Sequence, residues 1–255
     1  MLALYGGYMT TTATGRVRSD RPGKGAAPLA AELLEAIRKY PTCTVADAVE
    51  QYGVRLRNEG FTRPGLRCLT EGTPRSIGYA ATYQVRSLQP PMTGTCYLDR
   101  ADWWAPAEAV PAPRIAVIQD LEREPVGSVV GEVHAAILKA FGCEAIVTNG
   151  AVRDLPGVNR MRVPMFGRYA AVSHAYTHLV EHGSPVEILG LQIHPGDVVM
   201  ADCHGAIVIP IEIAADLPRI AGEIQARERR ILELCQSAEF SAERLREIIH
   251  APRRG

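Results

Sequence analysis

An α/β fold is the class this sequence predicts, and three observations predict it. The run Arg114–Gln119, a helix-patterned segment from Gly131 and the run Ala145–Thr148 read as strand, helix, strand, the βαβ unit of a parallel sheet. Short apolar runs at Val186–Ile193, Val198–Ala201 and Ala206–Ile209, separated by the turns Pro195-Gly196-Asp197 and Asp202-Cys203-His204-Gly205, predict a small β-sandwich or barrel-like layer. Helical patterns occupy both ends of the chain. With 255 residues, the whole suits one large domain with appendages.

Taken in order, residues 1–27 mix Gly, Thr, Arg and Pro without periodicity and are expected to form a mobile arm. Leu29–Tyr40 is amphipathic and stops at Pro41, and Thr44-Val45-Ala46-Asp47 resembles a capping box that opens a second helix ending near Gly53. Ser76–Val85 is the clearest strand, and Gly78 within it predicts a bulge or a close backbone approach. Gln89–Pro113, Pro-rich and holding both tryptophans, Trp103 and Trp104, is expected to be a long surface connection. Val133, Ile137 and Leu138 recur at helical spacing, and Gly142 stands where a C-terminal cap belongs. Asn149-Gly150 favours a tight turn, Pro156-Gly157 another, and Val163–Phe166 a short strand. Leu217–Leu234 reads as a long helix with Pro218 in its first turn, and Ser241 caps a shorter one.

The functional reading begins at Gly131. A helix starting there leaves unpaired N–H groups and positive dipole character at its first turn, and a glycine keeps no side chain between them and a small anion. The βαβ order brings Gly131 and Arg153-Asp154 to neighbouring strand ends, where ligands commonly sit. Arg153 then offers a planar fork for anionic oxygens and Asp154 a hard oxygen ligand for magnesium or manganese. The alternative is a plain surface ion pair at a strand end.

Composition narrows the partners. With 28 basic and 28 acidic residues the net charge is zero, which leaves no electrostatic footprint for nucleic acid or an acidic membrane, and no run of about eighteen apolar residues would span one. Six scattered cysteines form no CxxC pair and read as reduced thiols of a cytoplasmic protein. His174, His178 and His182 recur at four-residue spacing, but Gly183 and Pro185 break the segment and no carboxylate completes a metal set. Gly127–Gly131 lacks the GxGxxG pattern of a nucleoside cofactor loop.

Gly131-Glu132, then Asn149-Gly150-Ala151-Val152-Arg153-Asp154, and later Pro195-Gly196-Asp197 and Ala201–Gly205, resemble the family shared by 4-hydroxy-4-methyl-2-oxoglutarate aldolases and the regulator of ribonuclease activity A. That family carries an acidic residue, twenty intervening positions and Arg-Asp, a spacing Glu132 and Arg153-Asp154 keep. The resemblance runs from about Thr42 to Pro210; Asn149 stands where the family commonly has Asp, and Val133-His134 where it more usually has leucines. It implies an α/β/β swivelling-type sandwich over residues 28–215 with N-terminal helices, and a C-terminal helical extension over 216–255. It also implies a homotrimer or hexamer and a keto-acid substrate. By resemblance Asp154 is the metal ligand, for Mg2+, Mn2+ or another divalent ion, while Arg153 and Glu132 are catalytic. Gly131, Glu132, Val133 and His134 bind substrate with Arg153, chiefly through backbone. The implied reaction is retro-aldol cleavage to pyruvate, with oxaloacetate decarboxylation beside it. Alternatives are an aldolase or decarboxylase for another keto acid, and a non-catalytic regulator that binds a ribonuclease. For the general base, His174 is a candidate.

Overall fold

A computed structural model describes residues 28–72, 74–92 and 103–250; the expected arm over 1–27 and Cys96 lie outside them. The strands are β1 (Arg67–Cys68), β2 (Ser76–Arg86), β3 (Arg114–Asp120), β4 (Ser128–Val130), β5 (Cys143–Thr148), β6 (Ala151–Val152) and β7 (Met165–Gly167). They continue with β8 (Tyr169–Ala170), β9 (His178–His182), β10 (Val186–Ile188), β11 (Leu191–Ile193), β12 (Val198–Asp202) and β13 (Gly205–Ile209). The helices are α1 (Ala31–Arg38), α2 (Thr42–Glu50), α3 (Ala105–Glu108), α4 (Glu132–Ala140), α5 (Leu155–Met161), α6 (Leu217–Gln236) and α7 (Ala242–His250).

The main sheet runs β1-β7-β5-β3-β2-β12-β13, with β9 also paired to β2. Its centre, β2, β3 and β5, is parallel, as the βαβ reading requires. Period-two alternation splits the core into two layers. Ile77, Tyr79, Ala81 and Tyr83 of β2 and Ala116 and Ile118 of β3 face the helices, while Ala80, Ile115 and Val117 join Val186, Ile188, Leu191 and Ile193 of the β10–β11 hairpin. Helices, sheet and hairpin thus stack as α/β/β. The closing strands do not make a layer of their own: β12 and β13 extend the main sheet antiparallel beside β2, and among the described residues the β10–β11 hairpin forms the outer layer.

Two local expectations are met for visible reasons. A Cβ at Gly78 would come 2.6 Å from the Pro113 carbonyl oxygen, which accepts a bond from Tyr79 N–H, so the glycine marks a close approach. Gly142, at φ +78, follows α4 in the left-handed conformation. Two others are corrected. α2 begins at Thr42 with no side-chain cap from its own segment, so Thr44–Asp47 forms no capping box; the carboxylate of Asp202, on β12, receives Thr42 N–H instead. Pro156-Gly157 is not a turn but the first turn of α5, where proline's missing N–H costs nothing. Within Gln89–Pro113, Trp103 is buried against Tyr83 and His134 and Trp104 stacks on Phe141, so both serve local packing; residues 93–102 lie outside the described ones.

The C-terminal helices split by burial. Leu217 and Ala221 in the first turns of α6 are buried, whereas α7 buries no residue, held by Ser241 Oγ accepting Arg244 N–H at its start. Among the described residues no helix is long and apolar enough to cross a membrane.

Candidate functional site

The site is built by a second, smaller sheet that periodicity does not reveal. β4, β6 and β8 pair in parallel, and the register Val130↔Val152 ends two strands side by side. The residues that follow, Gly131 and Arg153-Asp154, are therefore neighbours, tied by Arg153 N–H donating to the Val130 carbonyl at 3.0 Å. Strands of two or three residues carry too little alternation to read in advance.

At this corner Asp154 takes φ 59 and ψ 32, a left-handed conformation that non-glycine residues adopt at a cost and that clusters at functional sites. Its Oδ2 accepts Glu132 N–H at 3.2 Å and lies 3.3 Å from Arg153 Nε. Gly131 is needed by contact rather than by conformation: at φ −126 any residue fits, but a Cβ there would fall on Asp154 Oδ2 and within 3.1 Å of Arg153 Nε. The α4 N-terminus does hold an anionic oxygen, and that oxygen belongs to Asp154 itself.

Glu132, in the first turn of α4, lies across Gly157, whose missing Cβ leaves the space the Glu132 carboxylate fills. Arg160 Nη2 approaches Glu132 Oε1 at 3.4 Å. Gly157 and Arg160 were missed in the sequence because α5 reads as a turn. Asp154 and Glu132 side chains remain 42% and 43% exposed, so both carboxylates face solvent. Val133 is exposed on α4. His134 is not: its imidazole is buried edge-on to Trp103, with ring centroids 4.3 Å apart, and burial pulls its pKa down to about 4. Only the backbone of His134 belongs to the corner.

Asn149 explains its own departure from the commoner aspartate. Its Oδ1 accepts Asp120 N–H at 2.7 Å and its Nδ2 donates to the Asp120 carbonyl at 2.8 Å, a two-way clasp between the ends of β3 and β5 that a carboxylate cannot make. Asp120 is buried, holds Ser87 Oγ at 2.7 Å, and desolvation raises its pKa.

His174 is not at this corner. After β8 the chain folds back so that Ser173 accepts Ser128 N–H, which sets His174 beside the start of β4 while Gly131 follows its end. Nor do the three histidines gather: among the described residues the one cluster with metal-ligand spacing is Asp202-Cys203-His204. A cavity of about 640 Å³ lined by Arg55, Arg63, His194 and Asp197 includes none of the corner residues.

A three-layer α/β/β chain with Glu132 and Arg153-Asp154 joined across adjacent strand ends defines a protein of the aldolase and ribonuclease-regulator class. Residues 42–208 match the family described as RraA-like: Aldolase/RraA, and the chain belongs to that family. An uncharacterised protein of Methanocaldococcus jannaschii is 28% identical over 107 residues, 42% of this chain, so the match spans about half (51%) of that relative's length. A Halalkalibacterium halodurans protein named "Putative 4-hydroxy-4-methyl-2-oxoglutarate aldolase" is 25% identical over 205 residues, covering 78% of this chain and 89% of its own. The solved structure of Streptomyces coelicolor RraAS2, titled an unusual member of the RNase ES inhibitor RraA family, superposes with a TM-score of 0.64 at 22% identity, over 80% of this chain and 98% of its own, a likeness of fold. The family thus holds both aldolases and RraA proteins.

Proposed function

We propose that the chain is a divalent-metal-dependent carbon–carbon lyase that cleaves a 4-hydroxy-2-oxo acid of the 4-hydroxy-4-methyl-2-oxoglutarate type to pyruvate. Oxaloacetate decarboxylation follows as a secondary activity, because it passes through the same enolate. The observation that carries this reading is the β4/β6 register, which joins the α4 N-terminus, Arg153 and a left-handed Asp154 in one solvent-open corner.

The corner fits a hard divalent ion. Asp154 presents a carboxylate on a half-exposed side chain with Glu132 nearby, a sparse oxygen set that suits magnesium or manganese, which keep several waters. When bound, such an ion stabilises the negative charge that develops on the substrate's 2-oxo oxygen. Arg153 holds the oxygens of the keto acid with its fork and adds positive charge where the enolate forms. The first-turn backbone at Val133 and His134 receives the pyruvyl carboxylate, since Glu132 N–H already serves Asp154. Glu132 acts through water, held over Gly157. As the C4 hydroxyl loses its proton the C3–C4 bond breaks, C4 becomes a carbonyl, and the electron pair remains on the pyruvate enolate, which is then protonated at C3. A homotrimer or hexamer would close the corner and supply the base from a neighbouring subunit.

The test is pyruvate release from 4-hydroxy-4-methyl-2-oxoglutarate and from oxaloacetate, with magnesium and then with EDTA. Metal-dependent release from the former supports the lyase, and the ratio of the rates ranks aldol cleavage against decarboxylation. Absence of release from both, followed by silence across a wider keto-acid panel, would overturn the enzyme reading and leave a ribonuclease-binding regulator.

A further inference from the structure

We propose that the β12–β13 turn is a second metal site, of thiolate and imidazole character, that takes a zinc-class divalent ion through Cys203 Sγ, His204 Nδ1 and Asp202 Oδ1. The pair Asp202↔Gly205 closes this hairpin, leaving Cys203 and His204 as a two-residue turn at its tip. Cys203 Sγ lies 3.5 Å from His204 Nδ1. A tetrahedral ion with metal–sulfur and metal–nitrogen distances of about 2.3 and 2.0–2.1 Å spans about 3.6 Å between those two donors. Asp202 Oδ1 is 3.0 Å from the same nitrogen, and all three donor atoms lie within 4.8 Å of one another.

Asp202 is already fixed for the task. Its Oδ2 accepts Thr42 N–H at 2.8 Å, and its Oδ1 accepts the Thr42 hydroxyl at 2.7 Å and His204 N–H at 2.8 Å, which ties the carboxylate to α2 and the turn backbone. The two softer donors are exposed and reachable. An ion bound there needs a thiolate at Cys203 and a bare Nδ1 at His204, so metal binding is coupled to proton release. A cavity of about 240 Å³ lined by Cys43, Asp47, Glu50 and His204 opens beside the turn and leaves room for a further donor or water. Thiolate and imidazole select zinc or cobalt over magnesium, so this site differs in chemistry from the Asp154 corner and does not rest on the lyase reading.

The experiment is a titration of the metal-free full chain with cobalt(II), followed by zinc in competition with a chromophoric chelator. Wild type is expected to show a sulfur-to-cobalt charge-transfer band that saturates at one equivalent for this site, apart from any cobalt taken up at the Asp154 corner. Asp154→Asn should keep that band, whereas Cys203→Ser and His204→Ala should lose it and bind zinc about tenfold or more weakly. Both substitutions are at exposed positions, and circular dichroism checks that each variant is folded. As a second readout, zinc should slow iodoacetamide alkylation of Cys203 in wild type and not in His204→Ala. A wild type without a thiolate band, or a band that survives Cys203→Ser, would overturn the site.

Discussion

Asp154 and Asp202 each lie just beyond or at the end of a short strand and each receives an N–H from a helix's first turn, yet their surroundings are opposite. Asp202 is 2% exposed and accepts four contacts at 2.7–3.0 Å. Asp154 is half exposed, sits in a left-handed backbone, and gathers longer contacts of 3.2 and 3.3 Å onto one oxygen. The contacts of Asp202 come from its own chain and fix the fold around the β12–β13 turn, whereas Asp154, held more loosely in a costly conformation, has more capacity left for a hard-ion ligand. The two positions should therefore respond to substitution in opposite currencies, one in activity and the other in stability.

The largest effect is expected at Asp154→Asn. Asparagine tolerates the left-handed region, so the urea midpoint should stay near wild type. The ligand proposed for the divalent ion is lost, and kcat/KM for metal-dependent pyruvate release should fall on the order of 10³-fold. A folded variant with unchanged turnover would break the contrast at its functional end. Arg153→Lys sharpens the same end, because an ammonium does not reproduce a planar two-pronged contact, and a drop of about 10²-fold is expected.

Asp202→Ala is the mirror case. Removing the carboxylate strands Thr42 N–H, the Thr42 hydroxyl and His204 N–H, and urea unfolding should register a loss of about 2–4 kcal/mol. pH gives a second check. The folded pKa of Asp202 is depressed, so its stabilisation is fully present above the unfolded value of about 3.9 and is lost as pH falls through the folded value. Asp202→Asn should flatten the acid limb of the stability curve below about pH 4. Asp120, raised by burial, works with the opposite sign: its contribution weakens as pH rises from about 4 through its folded value.

A smaller effect is expected at Gly131→Ala. Since φ −126 suits alanine, backbone strain is not the issue; the added Cβ displaces Asp154 Oδ2 and crowds Arg153 Nε. Turnover should fall about tenfold to a hundredfold with little change in stability, a loss of positioning rather than of ligand. Equal losses in both would mean the corner is structural, like that of Asp202.

Legibility in the sequence followed length. β2, β3, α4, β5 and α6 carry enough residues for their periodicity to show, and the β3-α4-β5 order alone brought Glu132 toward Arg153-Asp154. The sheet that actually aligns them is written in β4, β6 and β8, three residues or fewer each, whose pairing is a tertiary fact. The same limit hid Gly157 beneath Glu132 and the cap that Asp202 supplies to α2 across 160 positions of sequence. His134 was legible as a member of α4 but not by direction: position on a helix does not say that Trp103 will cover the imidazole.

Asn149→Asp tests the joint that holds the corner to the main sheet, with the smallest expected effect. Asparagine both accepts from and donates to the Asp120 backbone, which pins the end of β5, and hence the start of β6, to β3. Aspartate keeps the acceptor but turns the other contact into an oxygen facing the Asp120 carbonyl, and it adds charge near the buried Asp120 carboxylate. Urea unfolding should register about 1–2 kcal/mol, and the loss should shrink in acid as the new carboxylate takes a proton and regains a donor. Because Asp154 lies five positions further along the same segment, KM for the keto acid should rise a few-fold while the metal requirement persists. A stability loss that does not shrink in acid would mean the clasp works by shape alone, and an unchanged KM would mean the corner is held by β4 and not by β5.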